Sequence, residues 1–64
     1  MTIHPSAIVS PEAHVDLGVS VGPFCVIESG AKIGKGTSLA SRVVVKSDTE
    51  LGEDNLVEVG AVLG

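Results

Sequence analysis

A branched aliphatic residue occupies every sixth position of this chain, from Ile3 to Leu63. The full series is Ile3, Val9, Val15, Val21, Ile27, Ile33, Leu39, Val45, Leu51, Val57 and Leu63. An internal repeat of fixed period constrains a fold more than any other sequence pattern. A six-residue period fits neither an α-helix nor one long strand, whose side chains repeat every ~3.6 and ~2 residues. The repeat therefore predicts short strands separated by regularly spaced corners.

Two positions in each hexad have the composition of a tight turn. All three prolines occupy the first of these positions. The second holds four glycines and two aspartates, namely Gly18, Gly30, Gly36, Gly60, Asp48 and Asp54. Proline fixes a negative φ, whereas glycine and aspartate tolerate the positive φ that many turns require. Strands this short bury a face only when the chain coils and each strand pairs with its counterpart one coil later. We therefore predict a parallel β-solenoid.

The aliphatic repeat resembles that of the hexapeptide-repeat proteins. The resemblance implies an all-β fold, a left-handed parallel β-helix of about three triangular coils, with three hexads or 18 residues in each coil. Residue n then stacks on residue n+18, about 4.8 Å away along the axis. Handedness rests on the resemblance alone, because parallel crossovers are otherwise right-handed. The interior columns are then all aliphatic: Ile3–Val21–Leu39–Val57, Val9–Ile27–Val45–Leu63 and Val15–Ile33–Leu51.

The outward residue just before each aliphatic forms one column on each face of such a coil. Two columns are mainly polar: His14–Lys32–Glu50 and Ser20–Ser38–Leu56. The third is aliphatic in all four coils, and the corner leading into it holds Phe24, the only aromatic residue, and Arg42. A continuous apolar stripe on a small protein usually marks an interface. We predict a self-association face, most simply in a threefold bundle about an axis parallel to the coils, formed by Ile8, Phe24, Val26, Arg42, Val44 and Val62.

No set of residues has the spacing of a catalytic or metal site. His4 and His14 point outward on different faces, whereas a zinc site of the kind some hexapeptide-repeat hydratases carry needs three converging histidines. Cys25 falls at an inward small position, so we expect a buried packing residue. Glu28 and Glu50 would need a cleft to act as general bases, and a regular solenoid face offers none. We expect no catalytic residue, no cofactor and no metal in residues 1–64.

Several other polar residues are expected to have structural roles. Two pairs of opposite charges lie one coil apart, Glu28–Lys46 and Lys32–Glu50. We expect them to form cross-strand ion pairs, which help to set the register but contribute little energy when exposed. Asn55 faces inward, and we expect it to bond to Thr37, its column neighbour, or to corner backbone groups.

Chain length and charge indicate which partners and which compartment to expect. The net charge of −4 and the four cationic residues argue against nucleic acid as a partner. The chain has no signal peptide and no apolar run long enough to span a membrane, so we expect a cytoplasmic protein. A unit of 64 residues with an open apolar end is expected to be marginally stable alone. We therefore expect residues 1–64 to form a single β-helix unit that forms the N-terminal coils of a longer protein or associates with itself, either as a homotrimer or end to end through its open coil.

Particular segments resemble the opening of the hexapeptide-repeat O-acyltransferases that transfer an acyl chain from acyl carrier protein to UDP-N-acetylglucosamine. These segments are Ile3-His4-Pro5-Ser6-Ala7-Ile8-Val9, Gly22-Pro23-Phe24-Cys25-Val26-Ile27, Ile33-Gly34-Lys35-Gly36-Thr37, Val43-Val44-Val45, Gly52-Glu53-Asp54-Asn55 and Gly60-Ala61-Val62-Leu63-Gly64. The Ile-His-Pro opening is shared with the related N-acyltransferase, whereas Gly-Pro-Phe-Cys favours the O-acyltransferase. One departure is the plain repeat at 57–59, where the family usually has aromatic or glutamine residues.

The resemblance implies a homotrimer that transfers a 3-hydroxyacyl chain to the glucosamine 3-hydroxyl in the first step of lipid A synthesis. It also implies that the family's catalytic histidine, a general base in clefts between subunits, lies beyond residue 64. No catalytic residue of the family matches a position of this chain, so residues 1–64 are expected to be inactive alone. Two alternatives stay open: a truncated or designed β-solenoid that self-assembles as a structural module, and another hexapeptide-repeat acyltransferase.

Overall fold

Every regular element of the protein is a two-residue β-strand. The computed structural model describes all residues from Met1 to Gly64. Its strands are β1 Thr2–Ile3, β2 Ile8–Val9, β3 His14–Val15, β4 Ser20–Val21, β5 Val26–Ile27, β6 Lys32–Ile33, β7 Ser38–Leu39, β8 Val44–Val45, β9 Glu50–Leu51, β10 Leu56–Val57 and β11 Val62–Leu63. The repeated aliphatic is the second residue of each strand. The predicted all-β fold is confirmed.

Strands one coil apart pair in parallel and form three sheets. Ile3 pairs with Val21, and Val21 pairs with Leu39, so register partners are one 18-residue coil apart. The strand orders are β1-β4-β7-β10, β11-β8-β5-β2 and β3-β6-β9. These sheets contain the three predicted interior columns. The predicted β-helix of about three coils is therefore confirmed, with overall extents of 20 × 20 × 19 Å.

The core runs along the axis of the coil and is most completely shielded in the second and third coils. Its buried apolar residues are Val19, Val21, Cys25, Ile27, Ala31, Ile33, Leu39, Val43 and Val45. Each occupies either the repeated aliphatic position or the small position two residues earlier, which is the predicted inward alternation. In the first coil Ile3 is 37% exposed, because a strand covers it on one side only. The Cys25 side chain is fully buried, as predicted.

The corners have the positive φ angles that the turn composition indicated, with two additions. Asp48 and Asp54 have φ of +60° and +56°, and Gly18, Gly30, Gly36 and Gly60 have φ of +71° to +79°. Phe24 and Arg42 also have φ of +60°. Neither residue type favours the left-handed region, so composition gave no sign of it. Six further corners have a positive φ at the same hexad position, so the corner geometry outweighs the preference of these two residue types.

Three polar contacts differ from expectation. Lys32 and Glu50 are in register, but the predicted ion pair between their side chains does not form. The Glu28 carboxylate accepts hydrogen bonds from Ser47 N at 2.9 Å and Ser47 Oγ at 3.3 Å, and the predicted ion pair with Lys46 is wrong. A corner N–H is a fixed donor, whereas a lysine must be immobilised to pair at the surface. Asn55 donates its backbone N–H, not its side chain, to Thr37 Oγ1 at 3.3 Å. Its side chain is exposed because it belongs to the last coil.

Candidate functional site

The predicted aliphatic stripe lies on the outer surface of the sheet β11-β8-β5-β2. Ile8, Val26, Val44 and Val62 are register partners in successive coils of this sheet. Ile8 is 67% exposed and Val62 60% exposed, and the two valines between them are half-buried. We call this surface the apolar face. Its continuity across all four coils makes it the main candidate for a functional surface on the chain.

The corner that precedes the apolar face, here called the leading corner, is held in a strained conformation. It consists of residues 5–6, 23–24, 41–42 and 59–60. The Cζ atom of Arg42 lies 5.6 Å from the centroid of the Phe24 ring, within the range of a cation–π contact. Both residues have φ of +60°, although a side chain in this region costs about 1–2 kcal/mol. Such strain concentrates at functional surfaces, and Phe24 is 60% exposed.

Hydrogen bonds between coils hold the leading corner in place. Arg42 N–H donates to the carbonyl oxygen of Pro23 at 2.9 Å, and Phe24 N–H donates to Ser6 Oγ at 3.0 Å. The Ser6 hydroxyl lies 2.8 Å from His4 Nδ1, which also accepts the Ser6 backbone N–H at 3.1 Å. With its Nδ1 accepting these bonds, the His4 ring supports the first turn of this corner.

The corner that follows the apolar face, here called the trailing corner, is acidic. It consists of residues 11–12, 29–30 and 47–48. Glu12 Oε1 accepts a hydrogen bond from Ser29 Oγ at 3.3 Å. The Asp48 carboxylate lies against Gly30, in the space that a Cβ atom on Gly30 would fill. Both acidic side chains are exposed. The apolar face is therefore bordered by a cation and an aromatic ring on one side and by two carboxylates on the other.

The two remaining faces are mainly polar, as predicted. His14 is in register with Lys32, and Lys32 with Glu50, on the sheet β3-β6-β9. His14 therefore lies on a different face from His4, and the structure does not bring the two rings together. No group of three or more His, Cys, Asp or Glu side chains is placed to hold a metal ion, and no pocket is present. The structure contains no helix that could cross a bilayer.

Comparison with known proteins identifies relatives along almost the whole chain. No family model matches it. Acyl-(acyl-carrier-protein)–UDP-N-acetylglucosamine O-acyltransferases of Brucella ovis and Brucella melitensis are 48% identical to it over 62 residues, 97% of this chain. The structure of the Arabidopsis UDP-N-acetylglucosamine acyltransferase superimposes with a TM-score of 0.94 and 50% identity over the same share. The chain spans only 22% of the length of each of these relatives.

These observations identify the fold class of the chain and the proteins to which it is related. The 18-residue register, the inward hexads and the superposition define a left-handed parallel β-helix of the hexapeptide-repeat class. Within that class, the chain is homologous to the N-terminal part of the acyl-(acyl-carrier-protein)–UDP-N-acetylglucosamine O-acyltransferases. The family resemblance carried by the Ile-His-Pro and Gly-Pro-Phe-Cys segments is thereby confirmed.

Sequence reasoning missed the acidic border of the apolar face. It treated Asp48 only as a turn residue, since aspartate tolerates a positive φ. The signal was present in the hexad numbering, because Arg42 and Asp48 occupy the same position in consecutive repeats. Only the corner geometry shows that these two side chains flank one strand, β8 (Val44–Val45), on opposite sides.

Proposed function

We propose that this β-helix belongs to an enzyme that transfers a 3-hydroxyacyl chain from acyl carrier protein to the 3-hydroxyl of UDP-N-acetylglucosamine in lipid A synthesis. The observation that supports this most strongly is 48% identity over 62 residues to O-acyltransferases of that name. We place the protein in the cytoplasm, where acyl carrier protein and nucleotide sugars are found. Residues 1–64 act in this proposal as scaffold and association surface, and the catalytic base is supplied by other parts of such an enzyme.

An acyl-transfer assay tests this proposal. The product of the complete natural reading frame and the 64-residue chain are each incubated with 3-hydroxyacyl carrier protein and UDP-N-acetylglucosamine, and the acylated nucleotide sugar is quantified by mass spectrometry. We expect acylation at the 3-hydroxyl by the reading-frame product and none by the 64-residue chain. Acylation of a different acceptor would support another hexapeptide-repeat acyltransferase. A reading-frame product that assembles without transferring any acyl group would support a structural module.

We also propose that the apolar face is where copies of this chain associate, as a parallel threefold bundle. Ile8, Val26, Val44 and Val62 supply the apolar stripe in this proposal, and Phe24 and Arg42 supply its border. The support is the continuity of aliphatic side chains along the four strands of this sheet, exposed at both ends and half-buried between them, together with strained residues on the adjoining corner. Burying such a stripe between copies removes apolar area from water, which favours association.

Lysine substitution on two faces tests the association. Val26→Lys with Val44→Lys places two charges on the apolar face, and we expect monomers in multi-angle light scattering. Ser20→Lys with Ser38→Lys is the matched control, because these residues occupy the same hexad position on another face. We expect the control to keep the wild-type mass. If the valine-to-lysine variant unfolds, Val26→Thr with Val44→Thr gives a milder form of the same test. An unchanged oligomer in the valine variants refutes the proposal.

A further inference from the structure

We infer that the two corners bordering the apolar face are complementary, and that Arg42 of one copy pairs with Asp48 of the next copy around the bundle. This inference rests on the proposed self-association through the apolar face. It adds the contact that sets the orientation and the axial register of the copies. The partner of the leading corner is then the trailing corner of a second copy of this chain.

The geometry of the coil places these two residues at nearly the same height. Arg42 and Asp48 are one hexad apart, and one coil of three hexads rises by about one strand spacing, ~4.8 Å. One hexad therefore corresponds to about 1.6 Å along the axis. Rotation about an axis parallel to the coils leaves the height of every residue unchanged. When each apolar face points towards such an axis, the leading corner of one copy meets the trailing corner of its neighbour, with Arg42 beside Asp48.

The charges of the two corners support this pairing. Arg42 is the only charged residue of the leading corner, in the column Ser6–Phe24–Arg42–Gly60. The equivalent column of the trailing corner is Glu12–Gly30–Asp48, which is acidic. Lys46 and Glu28 directly precede the trailing corner, and the Glu28 carboxylate accepts hydrogen bonds from Ser47. Arg42 and Asp48 are both exposed, and the structure shows no hydrogen bond to the guanidinium or to the Asp48 carboxylate.

Contacts within one copy also position the Arg42 and Asp48 side chains for this pairing. The Arg42 guanidinium rests on the Phe24 ring, and the Asp48 carboxylate rests against Gly30. Both backbones have φ of +60°, so the two side chains leave their corners in equivalent conformations. An antiparallel arrangement would move Arg42 to the height of a different coil of its neighbour. Charge complementarity of this kind suppresses wrong orientations as well as adding affinity.

Exchange of the two residues tests the pairing. Arg42→Asp and Asp48→Arg each place like charges together, and we expect each to raise the dissociation constant about tenfold or more at low salt. The double variant restores an opposite pair, and we expect its dissociation constant to return to within about threefold of wild type. Both residue types already occur with positive φ at this hexad position, so the exchange retains residue types that the corner accepts. Sedimentation equilibrium measures each constant.

Three further measurements complete the test. Asp54→Arg is the matched control, because Asp54 has the same hexad position as Asp48 and a φ of +56°, on the corner that does not border the apolar face. We expect it to leave association unchanged. If a single charge-reversal variant does not fold, Asp48→Asn, which suits positive φ, replaces it and should reduce the salt dependence of association. A double variant that associates no better than the single variants overturns the pairing while leaving the assembly intact. A monomeric wild-type chain overturns the self-association proposal itself.

Discussion

Cys25 and Thr37 donate equivalent hydrogen bonds from the positions that directly follow two different corners. Cys25 Sγ lies 2.9 Å from the carbonyl oxygen of Ala40, and Thr37 Oγ1 lies 2.9 Å from that of Gly52. In both cases the acceptor is 15 residues further along the chain. It directly follows an inward aliphatic residue of the next coil. Two of the inward small positions therefore serve as donor positions that tie one coil to the next, as well as filling the core.

This equivalence predicts how Cys25 tolerates substitution. Cys25→Thr keeps a donor of similar size, and we expect the free energy of unfolding to change by less than about 1 kcal/mol. Cys25→Val removes the donor and leaves the Ala40 carbonyl without it, so we expect a loss of about 1–2 kcal/mol. Urea denaturation followed by circular dichroism measures both variants. Equal stability of the threonine and valine variants would show that the thiol acts only by packing.

The close approach of consecutive coils makes Gly34 sensitive to a single methyl group. A Cβ atom on Gly34 would lie 2.5 Å from the carbonyl oxygen of Gly52, and backbone atoms cannot move aside without disturbing a coil. We expect Gly34→Ala to destabilise the chain by about 2 kcal/mol or more. Gly52→Ala is the matched control, since its nearest contact would be the Asn55 side-chain nitrogen at 3.7 Å. We expect the control to change stability by less than about 1 kcal/mol. Similar losses in both variants would contradict the proposed contact.

The exposed fraction of the repeated aliphatic side chains varies along the axis. We therefore expect truncation to alanine to lower the free energy of unfolding by different amounts in different coils. Ile27 is 1% exposed, so Ile27→Ala should leave a cavity and cost about 2–5 kcal/mol. Ile3 is 37% exposed in the first coil, so Ile3→Ala should cost clearly less, since solvent and neighbouring side chains fill the space. Denaturant midpoints at matched protein concentration compare the two variants. A larger loss at Ile3 would mean that the first coil, not the middle, limits stability.

The strained leading corner predicts that one substitution weakens association without lowering the stability of the single chain. Phe24→Gly relieves the left-handed side-chain strain of about 1–2 kcal/mol and increases unfolded-state entropy by a similar amount, so we expect nearly unchanged stability. It also removes the aromatic side chain beside the apolar face, and we expect association to weaken about tenfold or more. Leu17→Ala is the control, because Leu17 is 72% exposed on a corner away from this face.

Sedimentation and urea denaturation distinguish the outcomes for this corner. We expect the Leu17 variant to associate as wild type does. If the Phe24→Gly variant associates with wild-type affinity, Phe24 is not part of the interface. A large loss of stability in that variant would instead show that the Phe24 ring stabilises the fold of the single chain.

Much of this fold was predictable from the position of each residue in the hexad. The aliphatic period places Val21 between Ile3 and Leu39 in one column, and the register shows these pairs. The stripe from Ile8 to Val62 was predictable for the same reason, since strand side chains alternate. The partner of Glu28 was not predicted correctly. A corner N–H competes for its carboxylate, and such local donors are not visible in a charge pattern.

The six-residue repeat is enough to assign which side chains face the axis, because in paired strands only one arrangement turns every repeated aliphatic residue inward. The conformation of the corners depends instead on the stacking of the coils, since Phe24 and Arg42 adopt a φ that neither residue type prefers. The reason is that hydrogen bonds from the neighbouring coil over-determine the corner. Arg42 N–H bonds to Pro23 and Phe24 N–H bonds to Ser6, and both contacts exist only once the coils are stacked.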